Sequence, residues 1–493
     1  MFYHQNEGNR VLVIGLDCAT PQLVFEKWLD ELPHLRGLCE RGVSGKMRSC
    51  DPPITVPAWS VMMSSRCPGS LGIYGFRNRA SHSYDQFKIA TSSDVKVDRV
   101  WDILSKAGKK VIAMGVPLTY PVSKVNGIMV SDFLTPGINS EFTHPPELKT
   151  EIAEVVGEYI FDVRDFRTDN KRKILEDIYE MTRKRFKLMR HFMVTKQWDF
   201  LMMVEMGTDR IHHAFWSYMD TEHRKYQAGH PFEQAIREYY HFVDAEIGKT
   251  LALVDDNTTV MVVSDHGAKR MDGGICINDW LIREGYMHLE QTPQGITPFS
   301  KAKVDWSRTV AWGDGGYYAR VFINLKGREP QGVVDPNDYE KVRSELMQKL
   351  AAIPDENDKP IPTKVYRPQE LYPQIENIAP DLLVYFGDLY WRSIGSVGNS
   401  GIYCFENDTG PDDANHAQEG IVIGVPSENH SFGGGPGTEL TGIRLIDVAP
   451  TILEIMGVPI PETMEGRSFC VAKGKVGTEI CSGTGHDKIL SEV

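Results

Sequence analysis

Met261-Val262-Val263-Ser264-Asp265-His266-Gly267 is the stretch on which the fold turns. The β-branched run 259–263 that leads into it reads as a buried strand, and Gly267 lets the backbone turn sharply afterwards. Asp265 and His266 at the strand's end place a carboxylate and an imidazole in one crevice, the mixture a divalent metal accepts. Alone the pair is a weak signal, and it gains force only from ligands supplied elsewhere in the chain.

Working outward, 11–16 is a second β run that ends at Asp17, and 200–206 is a third that runs through Gly207-Thr208 into Asp209. Ligands of open α/β sheets bind beyond the carboxyl ends of the strands, so these distant carboxylates are expected to converge. In Asp209-Arg210-Ile211-His212-His213, helical spacing puts Asp209 and His213 on one face, able to chelate one ion, with His212 on another. Asn415-His416 sets a further imidazole just before a strand at 421–425. In Ile54-Thr55-Val56-Pro57-Ala58-Trp59, Pro57 suits the first turn of a helix. Thr55 then stands just before an N-terminus whose free N–H groups suit a phosphate oxygen. Three Asp, three His and one hydroxyl fit two neighbouring divalent ions, an arrangement suited to phosphoryl displacement.

Between these points the pattern alternates. Helices are expected at 23–32, 35–40, 100–107, 171–195 and 232–254, with a strand at 111–116. The expected fold is α/β, a mostly parallel sheet flanked by helices on both faces, with a smaller α/β insert. The insert is placed at 272–400, where the texture shifts to Gly/Asp/Tyr-rich turns around Trp312-Gly313-Asp314-Gly315-Gly316-Tyr317-Tyr318. The core is then discontinuous, 8–271 and 401–472. Residues 473–493, rich in Gly, Ser, Thr and charge, read as a mobile tail.

Composition narrows the partners. The 493-residue chain is 41% hydrophobic and 25% charged, with a formal net charge of −13. That balance argues against nucleic acid or an anionic membrane as a bulk partner. It leaves room for a small phosphorylated or nucleotide-like substrate, because a bound cation dominates its local field. No apolar run is long enough to span a bilayer. Met1-Phe2-Tyr3-His4-Gln5-Asn6-Glu7 lacks the basic start and apolar core of a secretory signal. The eight cysteines are scattered, so free thiols in the cytoplasm are expected. The oligomeric state is left open.

In this order, Asp, Thr, Asp-x-x-x-His, Asp-His, His, the chain resembles the alkaline phosphatase superfamily, and within it the type I phosphodiesterase/nucleotide pyrophosphatase family. Ile14-Gly15-Leu16-Asp17, Ile54-Thr55-Val56-Pro57-Ala58-Trp59, Pro68-Gly69-Ser70-Leu71-Gly72-Ile73, Ser264-Asp265-His266-Gly267, Asn415-His416 and Ile446-Asp447-Val448-Ala449-Pro450-Thr451 carry the likeness. The resemblance implies one metal held by Asp17, Asp265, His266 and the Thr55 hydroxyl, and another by Asp209, His213 and His416. It also implies a metal-activated Thr55 nucleophile and a covalent phosphothreonine-type intermediate. Two divalent ions are expected, zinc ahead of manganese given mixed imidazole and carboxylate ligands.

Two positions depart from the family's pattern. Leu71 stands where the family usually has His, and Phe76 where a phosphate-binding Asn is expected; Arg77, Asn78 and Arg79 are the candidates to replace that Asn. The sulfatase pattern C/S-x-P-x-R is excluded, because Cys50-Asp51-Pro52-Pro53-Ile54 lacks the Arg. The expected activity is a two-metal phosphodiesterase or nucleotide pyrophosphatase. The alternatives are a phosphomonoesterase or phosphomutase on the same site, or a non-catalytic metal-binding relative. His34, His223, His230, His241 and His430 are expected to be surface or helix-packing residues, and Arg183, Lys184, Arg185 and Lys187 a solvated face. Asp272, Asn278 and Asp279 are left as neighbours of undecided role.

Overall fold

The strand Thr258–Val263 lies inside a nine-stranded sheet, with all six of its residues buried. The computed structural model describes residues 9–472, and the tail expected over 473–493 lies outside them. Across the sheet the order is Thr438–Arg444, Val43–Arg48, Glu419–Val425, Thr258–Val263, Arg10–Leu16, Phe200–Glu205, Val111–Met114, Gly127–Val130 and Thr143–His144. Arg10–Leu16 pairs in parallel with both of its neighbours, aligning Gly15 with Val204 and Val263. Glu419–Val425 runs antiparallel between Thr258–Val263 and Val43–Arg48. The central strands are apolar at nearly every position because helices cover both of their faces.

One helical group packs together from Pro33–Arg41, Leu148–Val156, Lys171–Thr195, Gly207–Met219 and Ala235–Leu251, and the other from Thr55–Ser64, Val100–Lys106 and Val448–Ile455. Thr55–Ser64 is buried along its whole length, as its lack of a polar face requires. Gly15 explains how it fits so closely: a Cβ there would come within 2.6 Å of the Trp59 ring. The indole therefore lies across the strand and reaches Asp17.

Three local expectations change. The single helix expected at 23–32 is a wide-turned π-helix at Gln22–Lys27 followed by a 3₁₀ turn at Leu29–Glu31. The break falls at Trp28, whose φ of −126° leaves helical space while its ring is buried against Tyr240, 5.5 Å away. Thr55 is the first residue of its helix, and Ile54 is the cap. Arg185, expected on a solvated face, is 1% exposed. Its guanidinium donates to the Val204 and Phe161 carbonyls, groups left over at the end of a strand and in a loop.

A second hydrophobic core gathers Ile275, Trp280, Trp312, Phe322, Leu350 and Leu382, with Tyr84 and Phe87 packed against it. Its sheet is four-stranded, Ala311–Asp314, Ala319–Ile323, Leu382–Tyr385 and Lys364–Tyr366 in spatial order. Gly267–Arg270 and Ala414–Ala417 form a two-stranded antiparallel ladder, which sets Ala268 opposite His416.

Candidate metal centre and active site

Asp17, Asp209 and Asp265 follow the ends of adjacent parallel strands, so the sheet's own register brings them together, each 2% exposed or less. Asp17 Oδ2 accepts the Trp59 indole N–H at 2.6 Å. Asp265 Oδ1 accepts the Cys18 backbone N–H at 3.2 Å, a contact that holds Cys18 in the left-handed region at φ 64°. Asp209 Oδ2 is paired with Arg210, which also grips Asp162 through two bonds of 2.8 and 2.7 Å. In each carboxylate one oxygen is thus committed. The others, Asp17 Oδ1, Asp209 Oδ1 and Asp265 Oδ2, are buried with no hydrogen-bond partner. Three orphaned carboxylate oxygens in one place call for cationic partners.

The histidines are oriented to match. His266 donates Nδ1–H to the Gly267 carbonyl at 3.1 Å, and His416 donates to the Pro53 carbonyl at 2.8 Å. His213 donates to Asp412 Oδ1 at 2.7 Å. With every Nδ1 occupied, each Nε2 faces inward, the orientation that outer partners impose on metal-binding imidazoles. The ligand atoms fall into two groups, each within 4.8 Å: Asp17, Asp265 and His266 in one, Asp209, His213 and His416 in the other. The Thr55 hydroxyl adjoins the first, 3.2 Å from His266 Nε2. The rings of His266 and His416 stack at 3.9 Å and tie the groups together.

Crowding of buried carboxylates sets the electrostatics of the site. Burial first, and repulsion from Asp209 next, push Asp17 well above the ordinary carboxylate range, and burial and then Asp17 do the same to Asp265. Burial also raises Asp209, but His213 and Arg210 outweigh it and hold this carboxylate well below its usual range. Burial holds His266 down at about 4.

All seven residues expected at the site are thus brought together. His212 is not among them: it faces the helical core, with its Nε2 3.1 Å from the Tyr240 hydroxyl. Asn78 and Arg79 are committed elsewhere. Asn78 closes a turn by accepting from Tyr74 N–H and donating to the Gly75 carbonyl, and Arg79 pairs with Glu329 in the second core. Of the three candidates to replace the missing Asn, Arg77 alone is exposed, and its nearest acidic partner is Asp314 at 3.8 Å. Asn278 clamps Gly313 and Asp279 caps Gly398 and Asn399, so both are structural, and Asp272 pairs with Arg270.

Sequence reasoning missed Asp412 and Arg167, and it left Tyr317 undecided within its loop. Asp412 is buried between His213, Arg167 and Arg392. The Tyr317 ring stacks on His416 at 4.2 Å and on His213 at 5.0 Å, and its hydroxyl accepts from Arg167 at 2.6 Å.

A family model described as type I phosphodiesterase/nucleotide pyrophosphatase matches residues 11–412, a span holding six of the seven residues and stopping short of His416. A solved structure of inactive murine ectonucleotide pyrophosphatase/phosphodiesterase 5 with AMP is similar at a TM-score of 0.52 and 11% identity, covering 92% of this chain and 96% of that one. Phosphonoacetate hydrolase from Sinorhizobium meliloti 1021 with phosphonoformate is similar at 0.55 and 15% identity, covering 90% and 94%. A 32-residue segment is 75% identical to the 2,3-bisphosphoglycerate-independent phosphoglycerate mutase of Thermomicrobium roseum. That match spans 6% of this chain and 6% of the mutase.

Proposed function

Because the chain belongs to the type I phosphodiesterase/nucleotide pyrophosphatase family, we propose that it hydrolyses a small phosphodiester, nucleotide-like in chemistry, with Thr55 as nucleophile. The observation that carries this reading is the Thr55 hydroxyl set 3.2 Å from His266 Nε2, beside three carboxylate oxygens that have no other partner. Asp17, Asp265, His266 and Thr55 would hold one divalent cation and Asp209, His213 and His416 the other, zinc before manganese. Bound there, the cations supply Lewis acidity and charge neutralisation during phosphoryl transfer.

The chain's own groups do the rest. Thr55 opens its helix, so the first-turn N–H groups and the dipole face an entering phosphoryl oxygen. The Thr55 oxygen attacks phosphorus as the P–O bond to the first alcohol breaks, and the hydroxyl proton ends on that departing alcohol. Water then cleaves the phosphothreonine-type ester, its oxygen going to phosphorus and one of its protons back to Thr55. Arg210, fixed by Asp162, keeps Asp209 ionised through this cycle. Phe133 and Phe166 lie against the Arg210 guanidinium at 5.7 and 4.4 Å and offer an apolar wall for the diester's second substituent. We read 272–400 as an insert that shapes this substrate side, since Tyr317 comes from it and stacks on His416. The cytoplasm is the location that fits the free thiols of Cys18, Cys39, Cys50, Cys67, Cys276 and Cys404. No helix among the described residues is long and apolar enough to cross a membrane.

A phosphomonoesterase or phosphomutase reading is favoured by the local mutase match and by Arg167, a cation beside the second group. Rates on nitrophenyl phosphate and bis(nitrophenyl) phosphate separate the two. Faster hydrolysis of the diester is expected, and a preference for the monoester overturns the proposal in favour of the alternative.

A further inference from the structure

We propose a second binding site, for a small anion of halide size, in a cavity lined by His223, Arg392 and Asn407. Nothing in the phosphodiesterase reading calls for it. The cavity is walled by the backbone of Gly273 and Gly274, by Phe405, and on its inner side by Asp412. Three chain segments deliver its donors: the loop after Gly207–Met219, and, far from it in sequence, the strand Trp391–Ile394 and the loop after Tyr403–Cys404.

The donors are what distinguish it. Arg392 is 5% exposed, and both Nε and Nη1 are buried without a hydrogen-bond partner. Its nearest carboxylate, Asp412, is 3.7 Å from Nη1, beyond hydrogen-bond distance, and already accepts from His213 and Arg167. His223 is also 5% exposed. Its Nδ1 accepts the Lys225 N–H at 3.0 Å, which leaves the proton on Nε2, a second buried donor with no acceptor. Burial, with Lys225 alongside, holds this imidazole's pKa down at about 4, so it stays in that neutral tautomer. Asn407 accepts the Thr409 N–H through Oδ1, and its Nδ2 is likewise unpartnered.

Of the other charges on the wall, Arg224 is paired with Glu356 and Lys225 with Glu406. Buried N–H donors left unpaired cost free energy, and four of them on one small cavity, one set on a guanidinium, match an anion. The cavity shares Asp412 with the centre, and the Arg392 guanidinium lies 5.5 Å over the Tyr317 ring. An anion held by Arg392 would therefore sit one residue away from the support of His213.

The test uses the full chain loaded with metal. Crystals soaked in bromide should show an anomalous peak in contact with Arg392 and His223. Melting temperature should rise saturably with chloride at constant ionic strength, with gluconate as the balancing anion. His223→Phe and Asn407→Leu, both outside the metal centre, should lose that rise while keeping full metal content. An ordered water without anomalous signal at the position, or a chloride response unchanged in both variants, overturns the proposal. So does a phosphate or sulfate bound there in preference to halide.

Discussion

His213 Nδ1 and Asp412 Oδ1 meet at 2.7 Å across 199 positions of sequence, and neither side chain is more than 1% exposed. Asp412 is also held by Arg167 and faces Arg392, so burial's tendency to raise its pKa is outweighed by His213 and the two arginines, and it stays ionised. It fixes the aim of His213. Asp412→Asn keeps the shape and removes the charge, and it should weaken metal retention by the Asp209, His213 and His416 group by about 10–100-fold. Competition with a chromophoric zinc chelator measures this, and wild-type retention would show that the pair is only a packing contact.

Thr55→Ala should lower turnover by on the order of 10⁴-fold or more, as loss of a covalent nucleophile does elsewhere. Bound metal should fall little, because carboxylates and imidazoles provide the remaining ligands. Thr55→Ser, which keeps the hydroxyl, should retain measurable activity. Elemental analysis beside a single-turnover assay distinguishes loss of the nucleophile from loss of metal.

Trp59→Phe leaves Asp17 Oδ2 buried without its donor, at a cost of about 1–3 kcal/mol. The deficit should show in denaturant unfolding of the chelated protein. Added zinc should narrow it, since a cation on the same carboxylate satisfies part of the lost demand.

The pH dependence follows from the shifts within the centre. Asp17 and Asp265 are raised on folding, so their contribution is complete below the ordinary value of 3.8 and is lost as pH rises through the raised value. His266 runs the other way: lowered to about 4 from 6.5, its contribution is present above 6.5 and is lost as pH falls toward 4. Cations bind the deprotonated carboxylates, so metal binding removes the penalty that grows with pH. The gap in melting temperature between loaded and chelated protein should therefore widen from about pH 5 to pH 8. A gap that is constant with pH would sink the assignment of Asp17 and Asp265 to a cation.

The sheet was legible from its apolar runs, and Asp17, Asp209, His213, Asp265 and His266 stood out from local pattern, whereas Thr55 and His416 joined them through the family order. A β-branched run ends in Asp17, another in Asp265, and a four-residue helical spacing joins Asp209 to His213. Asp412 was not legible, because its Pro411-Asp412-Asp413 setting reads as an ordinary turn and its partners are 167, 213 and 392. Arg185 misled for a related reason: helical periodicity places it, but only the packed fold shows two carbonyls waiting for it. Trp28 shows the same limit, since a helix pattern says nothing about a ring that must reach Tyr240.

Glu419–Val425 occupies the gap between Val43–Arg48 and Thr258–Val263, and this has a consequence for how the chain is born. During synthesis those two strands leave the ribosome long before their common neighbour exists. They must wait, edges open, while some 150 further residues are made, and then admit the late strand between them. His416 arrives with that same strand, through the ladder with Gly267–Arg270. Closure of the sheet and completion of the second ligand group are thus one late event. A chain stalled before residue 416 would carry Asp17, Asp265 and His266 beside a second group holding Asp209 and His213 but not His416, and with an exposed sheet edge of the kind that chaperones shield.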